Sequence, residues 1–379
     1  MNSSRTGLRR AALVVLSAAL VATAAGTAQA HPGKAGPAKG HHDDKGHHHG
    51  KGHPKPAASL RDLADRRHVL IGTAVDTTAL AEDSAYRATT AREFSSVTAE
   101  NVMKWEVVEP ERGRYDFSAA DELVRFARAH GQQVRGHTLL WHNQLPAWLT
   151  EGVADGSIDA KELRKILREH ITAEVTHFKG RIYQWDVVNE VFEEDGSLRD
   201  SIWLQQLGPS YIADAFRWAH KADPKAKLFM NDYNVEGVNA KSTAYYELAK
   251  KLRAQGVPVQ GMGVQAHLDI QYGFPTDLAA NLARFDRLGL QTAITEADVR
   301  MFTPSDPAKL ARQASDYRGL LAACLATKGC ASFTVWGFTD KYSWVPGTFE
   351  GEGEANILDA DFRHKPAYAA LREELAKRH

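Results

Sequence analysis

Only two cysteines, Cys324 and Cys330, occur in the 379 residues. A framework of several disulfides is thereby excluded, and so is a multi-thiolate metal site; a single bridge between the pair is expected if the chain is exported. Nothing around either residue supplies the base or positive field that would make a catalytic thiolate. Net charge is lacking too, since 47 Lys and Arg balance 47 Asp and Glu. Setting aside the 8 basic and 2 acidic residues of the first 58 positions leaves 39 basic against 45 acidic from Ser59 onward. A body of that sign has no clustered cations with which to neutralise phosphates, so a nucleic-acid partner is not expected. The apolar run over residues 11–25 falls short of the roughly 20 residues needed to span a bilayer. Also missing is a Gly-x-Gly-x-x-Gly turn after the first strand, since Gly72-Thr73-Ala74 is no such loop. Its absence argues against an open doubly wound sheet with a nucleotide site.

The apolar run follows Arg5, Arg9 and Arg10 and ends in Ala28-Gln29-Ala30, which reads as a secretory signal peptide over residues 1–30. Arg9-Arg10 leaves open both the general and the twin-arginine export routes. Export, an extracellular location and no membrane attachment after cleavage are the expectations. Residues 31–58 are rich in His, Gly, Lys and Pro and hold seven of the 17 histidines. A disordered linker is expected there, with at most weak metal binding, because a His-rich tail has no fixed geometry.

From Ser59 to His379 no second break in composition appears, so one catalytic domain is expected. Strand-like runs fall at 68–74, 100–105, 134–141, 182–188, 226–230, 261–266, 292–295 and 332–336. Helical patterns separate them, and the alternation predicts a closed (β/α)8 barrel of parallel strands. Ser118-Ala119-Ala120-Asp121 resembles a capping box, with Gly131 as terminator. A second helix is expected after Pro275-Thr276-Asp277, with Leu278, Leu282, Phe285 and Leu288 on one stripe, and a last one over 366–377.

Two of the strand runs end in glutamate: Trp185-Asp186-Val187-Val188-Asn189-Glu190 and Ile294-Thr295-Glu296-Ala297-Asp298. In a barrel of parallel strands the C-terminal strand ends form the working face, so the two carboxyls converge on one cleft. A protonated and an ionised carboxyl flanking one bond is what glycoside hydrolysis requires. Other strand ends carry the mixture that sugars demand, flat rings for C–H faces and polar groups for hydroxyls. Examples are Glu100-Asn101-Val102-Met103-Lys104, His137-Thr138-Leu139-Leu140-Trp141-His142-Asn143-Gln144, Asn231-Asp232-Tyr233-Asn234, Gln265-Ala266-His267 and Trp336-Gly337, with Trp344 beyond. Any one of these is more often packing than function; their recurrence at successive strand ends is the signal.

On these motifs, together with Trp336-Gly337-Phe338-Thr339-Asp340-Lys341-Tyr342-Ser343-Trp344 and Lys365-Pro366-Ala367-Tyr368, the chain resembles glycoside hydrolase family 10, the endo-β-1,4-xylanases. The resemblance runs from about His68 to Tyr368. It implies a retaining double displacement on xylan, with Glu190 as general acid/base and Glu296 as nucleophile. Asn189 would hold the 2-hydroxyl, and His267, bridged to Asp298, would orient Glu296. Glu100, Asn101, Lys104, His137, Trp141, Gln144, Gln265, Trp336 and Trp344 would line glycone subsites, with Asn231 and Tyr233 toward the aglycone. The family also has a non-proline cis peptide at the match to His137-Thr138. No cofactor or metal is implied, the partners are xylan and xylo-oligosaccharides, and a monomer is expected.

Ala297 departs from the resemblance, since the family usually carries Leu there; a smaller side chain pointing into the barrel would loosen packing behind Glu296. Two rivals keep a place. One is a retaining β-glycanase acting on glucan, which would need room for a hydroxymethyl group near Gln144, Trp336 and Trp344. The other is a non-catalytic carbohydrate- or metal-binding wall protein, against which both glutamates, Asn189 and His267 argue.

Overall fold

A computed structural model describes residues 58–377; the signal peptide expected over 1–30 and all but the last residue of the linker expected over 31–58 lie outside them. Strand β1 (Leu70–Val75) pairs in parallel with β2 (Ser96–Ala99), and the parallel pairing passes through β3 (Gln133–Gly136), β4 (Gln184–Asn189), β5 (Lys227–Asp232) and β6 (Gly261–Val264). The short β7 (His267–Asp269) continues the line of β6 and pairs with β8 (Gln291–Phe302), which also pairs with β6. Strand β9 (Cys330–Val335) joins β8 to β1 and closes the ring, so β1 to β6, β8 and β9 form an eight-stranded parallel barrel. A two-residue β10 (Glu352–Gly353) adds antiparallel to the far end of β8.

Helices cover the outside of the barrel, so its strands are shielded on both faces; β2 and β4 are buried at every residue, as enclosed parallel strands should be. Helix 118–129 turns Leu123, Val124 and Ala127 onto the sheet and stops before Gly131, whose φ of 63° only glycine adopts freely. The helix after Pro275 runs Leu278–Arg287 with Leu278, Leu282 and Phe285 buried, and Leu288 is its C-cap. The last helix is Pro366–Ala376. Between the barrel and its helices, where Trp185 packs against Phe178, close packing needs glycine beneath the large rings. A Cβ at Gly136 would lie 2.2 Å from Cε3 of the fully buried Trp185.

Three local expectations are corrected. The second strand is Ser96–Ala99, and Glu100 to Lys104 form the loop that follows it, ahead of a short helix at Trp105–Val108. Apolar Val102, Met103 and Trp105 mimic a strand run, but Met103 and Trp105 are buried from loop and helix positions. The third strand ends at Gly136, so His137 to Gln144 are all loop. Ser118 is the first helical residue rather than a cap; its N–H is accepted by Asp116 Oδ1 (2.9 Å).

Cys324 and Cys330 are bonded, with Cα atoms 5.3 Å apart, and fasten the helix Pro307–Leu325 to the start of β9. Among the described residues no helix is long and apolar enough to cross a membrane. Ala297 is fully buried, and its carbonyl accepts from Trp336 N–H at 3.0 Å. Gly136→Ala should cost about 1–3 kcal/mol of stability, the usual penalty for overpacking a filled interior, and urea denaturation would measure it.

Candidate active site

Glu190 is the first residue past β4 and adopts φ 58°, a left-handed conformation that L-residues avoid unless neighbours hold it. Its N–H donates to the Asn231 carbonyl (2.9 Å), and its own carbonyl accepts from Arg199 Nε (2.7 Å). The next residue is fixed as well, Val191 N–H donating to the Tyr245 hydroxyl (3.0 Å). So held, the backbone aims the carboxyl at three donors. Trp141 Nε1 donates to Oε2 (2.8 Å), while Asn189 Nδ2 and Gln265 Nε2 both donate to Oε1 (3.2 Å each). Trp141 is itself secured, because its carbonyl accepts from Trp203 Nε1 (2.8 Å).

Glu296 rises from within β8 and is 4% exposed. Its Oε1 accepts from Asn231 Nδ2 (2.7 Å) and lies 3.6 Å from the Arg135 guanidinium; its Oε2 lies 3.3 Å from His267 Nε2. Burial alone would favour the neutral acid, yet the His137 imidazole, the bond from His267 and the charge of Arg135 outweigh it and hold Glu296 well below the usual carboxylate range. His267 receives the complementary effect. Burial opposes its charge, but Asp298, with Oδ1 2.9 Å from Nδ1, and Glu296 raise the imidazole to about 10. The imidazolium and the carboxylate thus stabilise each other's charged forms.

The two glutamates are joined through amides. Asn231 Nδ2, besides its bond to Glu296, donates to Asn189 Oδ1 (2.8 Å), and Asn189 in turn donates to Glu190. This placement changes the expectation for Asn231. It is fully buried, its Oδ1 accepts from Thr295 Oγ1 (2.7 Å), and its donor faces protein groups, so it positions carboxylates and does not face an aglycone sugar. Gln265 is similarly buried and joins Glu190 to Asn189 Oδ1 (3.3 Å), a bracing position behind the cleft.

The other expected residues surround this pair. Lys104 Nζ donates to Asn101 Oδ1 (3.0 Å) and Gln144 Oε1 (2.7 Å) and sits 5.3 Å from the Trp141 ring centroid. Burial, then the charge of Asp76, push Glu100 up to about 7 against the pull of Lys104. His137 donates from Nδ1 to Asp186 Oδ2 (2.9 Å), precedes a cis peptide to Thr138, and meets the Trp336 ring edge-on at 5.2 Å. Trp344 packs against His267 at 5.1 Å and donates Nε1–H to Asp298 Oδ2 (2.7 Å). Tyr233, past β5, is half-buried; its hydroxyl accepts from Arg199 (3.1 Å) and Lys241 Nζ lies 3.6 Å from its ring centroid.

Several structural partners were not read from the sequence. Arg135 and Asp186 form a buried ion pair in the barrel interior, and Arg135 also donates to the Thr295 carbonyl (2.9 Å) beside Glu296. A signal existed, since Arg135 stands between Val134 and Gly136 and Asp186 between Trp185 and Val187, charges inside otherwise apolar runs. Arg199, Lys241 and Tyr245 gave none, lying in loops and helices of ordinary composition. His137, Asp186 and Glu296 have metal-ligand spacing among the described residues, but the Arg135 guanidinium already contacts both carboxylates.

Because the unfolded chain releases the His267 proton near pH 6.5, the stability held by this group is complete below that value and is lost as pH rises toward about 10. In Asp298→Asn, an NMR titration of the imidazole should move toward neutral pH. The fall in stability across that alkaline window, followed by urea denaturation, should become shallower than in the wild type.

Comparison with known proteins agrees with this geometry. The glycosyl hydrolase family 10 profile matches residues 59–374. An endo-1,4-beta-xylanase of Agaricus bisporus is 46% identical over 302 residues, which span 79% of this chain and 89% of that protein. Xylanase 10B of Thermotoga petrophila, solved in complex with xylobiose, superposes with a TM-score of 0.81 at 44% identity, covering 84% of this chain and 97% of that one. Native xylanase 10B of Thermotoga maritima gives 0.80 at 44%, with 84% and 98% covered. With a barrel of this topology and a family match spanning nearly all of its described residues, the chain belongs to glycosyl hydrolase family 10.

Proposed function

We propose that the protein is a secreted endo-1,4-β-xylanase that cleaves internal β-1,4-xylosidic bonds of xylan by a retaining double displacement. The observation that carries this reading is the opposed environment of two linked carboxyls. Glu296 is held ionised by His137, His267 and Arg135, while the hydrogen bonds that Glu190 accepts come from the neutral donors Trp141, Asn189 and Gln265. Family membership and the xylanase names of the relatives support the substrate.

In the first step Glu296 attacks the anomeric carbon through Oε2 or Oε1, forming a glycosyl ester, and Glu190 gives its proton to the departing sugar oxygen. Forming the ester removes the negative charge of Glu296. Glu190, now an anion, takes a proton from water, which attacks the same carbon and releases Glu296 as carboxylate, with the configuration retained. Asn189 sits between the two carboxyls, where a 2-hydroxyl of the reacting sugar would meet it. Asp298 and His267 keep the nucleophile charged and oriented. Glu100, Asn101, Lys104, His137, Trp141, Gln144, Trp336 and Trp344 shape the glycone side, and Tyr233 the aglycone side. The leader over residues 1–30 supports export, and the mildly acidic body, 39 basic against 45 acidic residues, supports a glycan rather than a nucleic-acid partner.

Reducing-end release on xylan and on carboxymethyl cellulose, with anomers followed by NMR, tests the whole reading. Xylan-selective release of β-configured product is expected, with none from Glu296→Ala. Release from cellulose alone would replace xylan by glucan, and no release from either would favour a binding protein. Glu190→Ala should slow turnover by about 100-fold or more on xylan and much less on aryl glycosides with good leaving groups. Equal losses on both substrates would remove Glu190 from the acid role.

A further inference from the structure

Lys241 is the second residue of the helix Ala240–Ala254, whose N-cap is Asn239. A cation in a first helical turn opposes the helix dipole, and a lysine with no exposed surface carries a further desolvation penalty. Two local rules are thus broken at one residue, a pattern that marks a position kept for something other than helix stability. Its ammonium has three partners, two carboxylates and one aromatic ring. Nζ lies 2.9 Å from Asp232 Oδ1, 3.0 Å from Glu194 Oε1, and 3.6 Å from the centroid of the Tyr233 ring. Burial disfavours the charge, but the two carboxylates offset it and raise the ammonium above its ordinary range. Exchanging a buried ion pair for apolar residues is often neutral or stabilising, so stability alone does not account for this one.

What the ammonium touches lies in the cleft wall. Asp232 is the last residue of β5, and its other oxygen accepts from the Tyr245 hydroxyl (2.6 Å), the group that receives Val191 N–H beside Glu190. Tyr233 follows directly. Lys241 presses on one ring face while Arg199 holds the hydroxyl, so the ring has one remaining face and one orientation.

We propose that Lys241 is a positioning residue for the aglycone side of the cleft: by fixing the plane of Tyr233 it decides how well a departing sugar chain is held. This rests on the xylanase reading and on the place of Tyr233 within it. Lys241 touches neither carboxyl of the catalytic pair, and its effect runs through the ring. Its loss therefore weakens binding of substrates that extend into the aglycone side more than of those that do not.

The test compares wild type, Lys241→Met, Tyr233→Ala and the double variant on end-labelled xylopentaose and on an activated aryl xylobioside. For Lys241→Met, kcat/KM on xylopentaose should fall about tenfold, the scale of a desolvated cation–π contact, mostly through KM. The loss on the aryl xylobioside should be smaller, and the bond cleaved in xylopentaose should shift to one needing fewer aglycone sugars. In the double variant the loss should match Tyr233→Ala alone, since both changes remove the same interaction. Additive losses, or equal losses on both substrates, would overturn the proposal while leaving the xylanase reading intact. Should Lys241→Met fail to fold, Glu194→Gln, made at an exposed carboxylate, is run through the same cycle with Tyr233→Ala; its expected change is smaller, in the same direction and equally non-additive, and an additive one overturns the proposal. An unchanged cleavage pattern in Tyr233→Ala would remove the aglycone role of Tyr233 and the inference with it. Failure of the wild type to cut xylopentaose would instead overturn the xylanase reading.

Discussion

A carboxylate held ionised where water scarcely reaches is the constraint on which the rest depends. Desolvation drives such a group toward its neutral acid, and only positive charge and donated hydrogen bonds reverse that. Around Glu296 they come from widely separated parts of the chain: Arg135 from β3, Asn231 from β5 and His267 from β7. No local segment could assemble them, so closure of the barrel and ionisation of Glu296 are the same achievement. The demand propagates outward. Arg135 needs Asp186, His267 needs Asp298, and Asn231 needs Gly263 opposite, where a Cβ would come within 2.4 Å of its Oδ1.

The strand ends show a second kind of cost. Glu190 and Ala266, each just past the end of a barrel strand, have φ of 58° and 64°. Both are bound by their backbone amides, Glu190 to the Asn231 carbonyl and Ala266 to Glu236 Oε1 (2.9 Å). Such turns let a strand finish abruptly and point a side chain along the barrel axis, where the following loops can meet it. Rigid strands fix where the carboxyl starts; the turn fixes where it points.

How much of this was legible depends on the kind of signal each part leaves. The barrel was readable because buried parallel strands are apolar runs separated by amphipathic helices, and Val134, Val187, Phe229 and Ile294 announce them. The second strand was misplaced because Val102, Met103 and Trp105 are as apolar as Ser96–Ala99, and periodicity cannot tell a buried loop from a short strand. Both glutamates were visible as acids ending apolar runs. The burial of Asn231 was not, since an asparagine in a motif reads alike whether it faces a ligand or two carboxyls. Lys241 was invisible for a different reason: a lysine near a helix start is unremarkable until the fold places it under a ring.

Asp298 holds His267 with one oxygen and Trp344 with the other, so a flat aromatic wall on the loop after β9 and the counter-ion of Glu296 share a single anchor. The wall therefore cannot swing aside as a passive door. Loss of the indole N–H bond would leave Asp298 one donor fewer and strengthen its pull on the imidazolium, so a displaced Trp344 ring would be felt at Glu296.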